Sequence, residues 1–366
     1  MLTKGDDFPI HQTPEPVAVA GTDRNFYDRY FFNAQEPDGS CVVGIAMGIY
    51  PHLNIIDAAV SVSDGEVQRS VFGSRILGHE RMDTHAGPVT IVVEEPLQRL
   101  RVTIAPNETG ISGDMVFEGL APPIEEPRFI RRMGSRTLMD VTRLTQGGRW
   151  SGWIAVGSVR RDLAGWRGVR DRSWGVRPIG AADTQPVVPA VSPQFFWLWT
   201  PTAFDDWLLF YHTNDDEFGR PWNRSAVLVP VGGGAAQHLV DPVMQVGWQA
   251  GSRHARTAHL AARMRDGTAV AVDFDFGANF LMRGLGYGHA SRGHGMFQGA
   301  DITAGESFVH AETDPATPFN GHIQAQVTAR LRIGDSAALA GRGVFEQLAI
   351  GPHEPSGFRG LFDLAG

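Results

Sequence analysis

The densest chemistry in the chain lies in one segment, Gly165 to Arg177, which reads GWRGVRDRSWGVR. In an extended strand, successive side chains alternate between two faces. Val169, Asp171 and Ser173 therefore share one face, and Arg170, Arg172 and Trp174 share the other. An aspartate turned into an aromatic interior loses its hydration, which raises its pKa toward neutrality. Asp171 would then hold a proton near pH 7 and serve as a general acid. The competing role is an ion pair with Arg170, Arg177 or a neighbour, which lowers the pKa and closes a barrel end.

A second cluster, Tyr287, His289 and His294, falls in the glycine-rich stretch GLGYGHASRGHG. Histidine titrates near neutrality and tyrosine donates a hydrogen bond, so Tyr287 or His289 can position water or take back a proton. Loop histidines bonded to backbone are the plainer alternative. His212, in the run Leu208–Thr213, is a further candidate for the substrate wall. His289 and His294 stand five apart, and neither an H-E-x-x-H nor an H-x-H pattern is present, so no metal site is expected. Cys41 is the only cysteine, which excludes an intrachain disulfide and a Cys-cluster metal site. Lys4 is the only lysine and lies beside the N-terminus, which argues against Schiff-base or P-loop chemistry. Gly232-Gly233-Gly234 and the spaced glycines 284, 286 and 288 lack the strand–loop–helix setting of a dinucleotide fingerprint. No Gly-x-Ser-x-Gly elbow occurs. No cofactor is expected.

The aromatic residues supply the other half of such a site. Phe195-Phe196-Trp197-Leu198-Trp199 and Phe26–Phe32 are the densest groups. Core packing is their default use. On one alternate face they also make an apolar pocket whose ring faces stabilise carbocations. Tyr30, Trp174, Trp197 and Trp199 are expected on that wall, joined by Arg177, His212, His294 and Glu346.

These residues must be held by strands. Short alternating or β-branched runs recur, among them Val42–Tyr50, Ile55–Val62, Val89–Glu94, Arg224–Pro230, Ala269–Phe276 and Ile323–Ile333. Asp38-Gly39, Asp64-Gly65 and Asp266-Gly267 punctuate the sequence as hairpin turns, with positive φ expected at both turn residues. No long segment keeps a 3.6-residue apolar period, and a helical turn is expected only near Ser336–Ala340. The fold class is all-β, antiparallel, as barrel or sandwich. Arg167-Gly168-Val169-Arg170-Asp171 is echoed by Arg342-Gly343-Val344-Phe345-Glu346, nearly half a chain later. Tyr27–Gly39 and Trp207–Gly219 form a second echo, each an aromatic strand ending in an acidic-glycine turn. Together they predict an internal duplication, with domains at 1–180 and 194–366 and a proline-rich junction at 181–193. Glu346 is the repeat partner of Asp171; the two acids either divide acid and base roles or Glu346 caps its strand.

Asp171 to Gly175, with the preceding Gly168, resembles the G-x-x-D-x-x-W-G signature of the lipocalin-like AttH and carotenoid 1,2-hydratase (hydroxyneurosporene synthase) superfamily. Tyr30-Phe31-Phe32-Asn33, Gly286-Tyr287-Gly288-His289 and Gly343 to Gln347 are also similar to an uncharacterised bacterial branch of it. The resemblance implies tandem lipocalin-like (calycin) antiparallel β-barrels and implicates Asp171 in the chemistry. Val169 and Arg172 replace the tyrosine and histidine that usually flank the motif aspartate in the hydratases.

The net charge of −8 excludes general binding to nucleic acid or anionic membranes. Met1 to Pro16 has neither the basic nor the apolar region of a signal peptide. The uncharged run 186–204 contains Pro186, Pro189, Pro193 and Pro201, which rules it out as a regular membrane helix. With a single cysteine, a cytoplasmic location is expected. The function expected is a cofactor-independent enzyme of lyase or isomerase type (hydration, dehydration, isomerisation, cyclisation or elimination). Its substrate would be a hydrophobic isoprenoid, steroid or aromatic molecule in a barrel pocket. The alternative is a non-catalytic carrier or sensor of lipophilic ligands. A homodimer is among the assemblies expected.

Overall fold

The computed structural model describes every residue except 20, 186, 187, 189 and 191. Pro186 and Pro189 of the expected junction thus lie outside the described residues. The first half of the chain supplies β1 (Phe26–Gln35), β2 (Val42–Tyr50), β3 (Ile55–Ser63), β4 (Val67–Ile76), β5 (His85–Ala86), β6 (Val89–Glu95) and β7 (Arg99–Ile104). It continues through β8 (Ile111–Gly119), β9 (Ile124–Glu125), β10 (Phe129–Met133), β11 (Arg136–Val156), β12 (Val159–Asp162) and β13 (Arg167–Val176). The second half supplies β14 (Phe195–Phe204), β15 (Trp207–Asp215), β16 (Pro221–Pro230), β17 (Gln237–His238) and β18 (Val240–Trp248). After these come β19 (Ala255–Arg263), β20 (Ala269–Leu281), β21 (Asp301–Val309), β22 (Ile323–Ile333) and β23 (Leu339–Ile350).

The strands form two nearly closed antiparallel barrels in tandem. The first sheet runs β21-β4-β3-β2-β1-β13-β11-β8-β7-β6-β5, and the second runs β17-β16-β15-β14-β23-β22-β20-β19-β18. The two orders are related: β1 lies between β2 and β13 as β14 lies between β15 and β23. β21 breaks the symmetry, because it comes from the second half of the chain yet pairs along β4.

The RGV echo matches this symmetry, since it falls on β13 and β23. Gly168 and Gly343 hold equivalent places for the same steric reason. A Cβ on Gly168 would stand 2.0 Å from the Asn33 carbonyl oxygen, and one on Gly343 would stand 2.2 Å from that of Pro201. Backbone cannot yield as a side-chain tip can. Gly168→Ala and Gly343→Ala are each expected to cost about 1–3 kcal/mol, read as a lowered melting temperature; unchanged melts would show that the strands part freely.

The second echo does not match it. Tyr27–Gly39 covers β1, but Trp207–Gly219 covers β15, whose counterpart is β2. What those two segments share is turn chemistry, an acid-glycine hairpin after a doubly buried strand. The aromatic strand equivalent to β1 is β14. Asp38-Gly39, Asp64-Gly65 and Asp266-Gly267 do connect β1–β2, β3–β4 and β19–β20. Only their glycines take positive φ (81°, 88° and 91°), because the connections are longer than two residues. No helical turn forms at Ser336–Ala340: Ser336 lies in a bend and Leu339 already begins β23.

Three large apolar clusters result, with a small fourth at Leu281, Phe308 and Ile323. One fills the first barrel around Phe32, Phe117, Trp150 and Trp166. Another fills the second around Phe196, Leu198, Tyr211 and Phe345. The third lies between the barrels, around Tyr27, Phe31, Trp197, Trp199 and Phe210. Strand alternation explains this directly. In β14, Phe196 and Leu198 enter the lumen while Trp197 and Trp199 face the other barrel. In β1, Phe32 and Ala34 enter the lumen while Tyr27 and Phe31 face β14. Phe31 and Trp199 meet edge to face across the interface, 6.1 Å between centroids. Among the described residues, no helix is long and apolar enough to cross a membrane.

Candidate active site between the barrels

The cavity that gathers the candidate acids, arginines and aromatic residues lies between the barrels. It encloses about 230 Å³. This cavity is not the lumen of either barrel, because Asp171 points out of its own barrel and into the interface. Trp197, Trp199, Phe31 and Phe129 form the apolar wall. The first barrel adds Tyr27, Arg29, Arg143, Asp171 and Arg177, the second adds His322 and Glu346, and Tyr287 enters from the loop after β20.

Asp171 sits mid-strand on β13, opposite Phe31 of β1 and Thr145 of β11. It is 9% exposed. Burial pushes its carboxyl up to about 7. Arg143 and Arg29 pull the other way, while the carboxylates of Glu126 and Glu346 add to the rise. The Asp171 carboxyl makes no side-chain hydrogen bond among the described residues, in contrast to Glu126 and Glu346. Arg143 does not hold Asp171 ionised because Glu126 already holds Arg143. Arg143 Nε donates to Glu126 Oε2 at 2.7 Å and a second guanidinium nitrogen contacts the same oxygen. The Thr145 hydroxyl donates to Glu126 Oε1 at 2.6 Å. The guanidinium is further packed over the rings of Phe129 and Trp197, each at 4.8 Å. Burial raises the Glu126 pKa, but Arg143 and His212 outweigh it and leave it lowered.

Glu346, on β23 opposite Trp199, is the repeat counterpart of Asp171 and has the opposite environment. Trp197 Nε1 donates to its Oε1 at 2.9 Å and Gln324 Nε2 donates to its Oε2 at 2.7 Å. His322 Nε2 lies 2.8 Å from Oε1. These bonds overcome burial and hold Glu346 below the usual carboxylate range. The cavity thus carries one carboxyl that keeps its proton near neutrality and one that is ionised, the condition under which two acids take acid and base roles.

Tyr287 presents its ring between His294 (4.4 Å) and His322 (4.8 Å). Burial raises its pKa, so the phenol stays neutral and able to donate. His294 lies behind Tyr287. Its Nδ1 accepts from Arg177 Nη2 at 3.1 Å and its Nε2 donates to the Leu285 carbonyl at 3.0 Å. Burial, then Arg29 and Arg177, push its pKa well below normal and keep the imidazole neutral. Arg177 lines the cavity and stacks over Tyr27 at 4.5 Å.

Of the residues singled out from sequence, Asp171, Tyr287, Arg177, Trp197, Trp199 and Glu346 come together here. His289 does not. Gly288 takes φ 63°, the chain turns, and His289 Nε2 pairs with Glu306 Oε2 at 2.7 Å beside Phe72. Tyr30 and Trp174 lie on the opposite faces of β1 and β13, which look toward the first barrel's lumen, and line its open end beside Ile10 and Val17. There Arg172 stacks over Tyr30 at 4.0 Å. His212 stands behind the wall, donating from Nε2 to Asn223 Oδ1 at 3.1 Å and tilted against Phe129. Sequence reasoning missed Arg29, Arg143, Tyr27 and His322. Arg29 had a signal: with Tyr27 and Phe31 it shares the alternate face of an otherwise aromatic strand.

Comparison with curated proteins finds no match. Among solved structures, the chain is similar to kievitone hydratase from Nectria haematococca, at 11% identity and a TM-score of 0.48 over 88% of each chain. It is also similar to CghA with Sch210972, at 9% identity and a TM-score of 0.50 over 89% of each chain. The second likeness is one of fold. A family model described as "Family of unknown function (DUF8625)" matches residues 2–359. That match takes in both barrels and every residue lining the cavity, and the chain belongs to this family.

Proposed function

We propose that the protein is a cofactor-independent acid–base enzyme of lyase or isomerase type, acting on a hydrophobic small molecule held between its two barrels. Asp171 donates a proton to an alkene carbon or a leaving group. The faces of Trp197, Trp199 and Phe129 shelter the cationic transition state. Glu346, ionised and bonded to His322, stabilises that charge and receives the proton that leaves, directly or through water. Tyr287 orients the oxygen that adds or departs. The reading rests on one observation above others: Asp171 is raised to about 7 in the cavity that also holds a lowered Glu346. The resemblance of the Asp171–Gly175 box to the carotenoid 1,2-hydratase superfamily supports the same assignment.

The test begins with native mass spectrometry of the purified protein to identify any bound apolar molecule. That molecule, and a panel of isoprenoid, steroid and prenylated aromatic compounds, is then incubated with the protein in deuterated water. Deuterium uptake or a mass change of one water is expected, and Asp171→Asn should slow it by ~10²–10⁴-fold while binding persists. Tight binding of such compounds with no turnover of any would replace the enzyme by a carrier.

A further inference from the structure

The cavity wall carries a charge that the protein itself leaves unanswered. Arg29 is 2% exposed. Its Nε, Nη1 and Nη2 are all shielded from solvent and none makes a hydrogen bond among the described residues. The two other arginines buried to this degree have oxygen partners: Arg170 donates to Gln146 Oε1 at 2.7 Å, and Arg253 donates to carbonyls that include Gly351. The carboxyls near Arg29 are engaged elsewhere or protonated. Asp57 accepts from the Tyr50 hydroxyl at 3.0 Å and from the Gly295 N–H at 2.7 Å. Glu346 has three partners of its own. Arg29 instead lies over the Tyr287 ring, 4.6 Å from its centroid.

A second guanidinium borders the same ring. Arg177 is 5.9 Å from the Tyr287 centroid, and its Nε is also buried and unpartnered. One end of the cavity therefore has two arginines with open N–H groups beside two neutral phenols, Tyr27 and Tyr287. The other end is the Trp197, Trp199 and Phe129 wall. Buried donors in native proteins are satisfied almost without exception, so a cluster of open ones facing a cavity marks a place for an acceptor. A guanidinium presents its N–H groups as a flat fork that matches two oxygens of a planar anion.

We propose that the molecule bound between the barrels carries a planar oxygen anion, a carboxylate or an enolate, gripped by Arg29 while its apolar body lies against Trp197 and Trp199. This rests on the cavity being a small-molecule site and adds the charge and place of the substrate's polar group. Asp171, on the face shared by both ends, then addresses the carbon skeleton and not the anion.

Isothermal titration with naphthylacetate and its neutral isostere naphthylacetamide tests it. The parent protein should bind the acid at least about tenfold tighter than the amide. Arg29→Met should erase that preference and leave the amide affinity within about twofold. Without ligand, Arg29→Met should melt at or above the parent temperature, because it removes an unpaired buried charge; a structural arginine would lose stability instead. Equal affinity of the parent for both probes overturns the anion assignment and leaves the small-molecule site standing. Binding of neither probe overturns both. Retention of the preference in Arg29→Met places the anion elsewhere and also overturns it. Should Arg29→Met fail to fold, Arg29 is structural, and the parent's preference between the two probes still decides whether an anion is bound.

Discussion

Asp171→Asn is expected to make the protein more stable above neutral pH while removing the proton donor. The ordinary aspartate pKa near 3.9 applies to the unfolded chain, whereas burial holds Asp171 at about 7 in the folded one. Between those two values the folded state binds more protons than the unfolded state, so stability falls as pH rises. The loss begins near pH 4, is complete a little above pH 7, and is constant beyond that. A separation of about three pKa units corresponds to on the order of 4 kcal/mol. Asparagine has no such ionisation. The stability of Asp171→Asn relative to the parent should therefore grow from pH 4 to pH 8 and then level. Urea unfolding of both proteins across that range measures it. A difference that does not change with pH would mean that the folded protein holds Asp171 as an ordinary carboxylate, and general-acid chemistry would lose its basis. On a substrate once found, the same variant should be slower by ~10²–10⁴-fold, the usual contribution of a placed acid.

The second large effect belongs to Glu126, which never touches the cavity yet sets its electrostatics. Glu126 is 3% exposed and holds Arg143 against the Trp197 wall. Glu126→Gln strands the Arg143 charge in a buried site and is expected to cost about 3–5 kcal/mol. The urea midpoint at pH 7 reads this directly. A loss below about 1 kcal/mol would show that the pair contributes nothing structural. Two further consequences fix the cause. Removing the Glu126 charge and releasing Arg143 both favour ionised Asp171, so the pH-dependent stability difference just described should shrink. The double variant Glu126→Gln with Arg143→Met should recover most of the lost stability, since replacing both members of a buried pair by neutral side chains is close to neutral in cost.

Much of this architecture can be read from residue types alone. Alternating strands, acid-glycine turns and the RGV repeat predict an all-β duplicated chain, and they do so because pleat, turn and close backbone approach are local constraints. The assignment of Asp171 and Ser173 to one face and Arg172 and Trp174 to the other is local in the same way. Tyr30 illustrates where local reading stops. β1 is buried on both faces, so its aromatic residues look alike in sequence, yet Phe31 faces the cavity between the barrels and Tyr30 the first barrel's lumen. His289 fails for a different reason: one glycine in the left-handed region reverses the chain between it and Tyr287.

The sequence by itself determined the strand faces, the duplication and the carboxyl at position 171, because each follows from geometry within a few residues. Tertiary structure alone decided that the cavity lies between the barrels and that Asp171 and Glu346 titrate in opposite directions. It also left Arg29 without an acceptor. Those outcomes depend on which distant groups share a dry space, and hydration and charge are summed over neighbours in three dimensions.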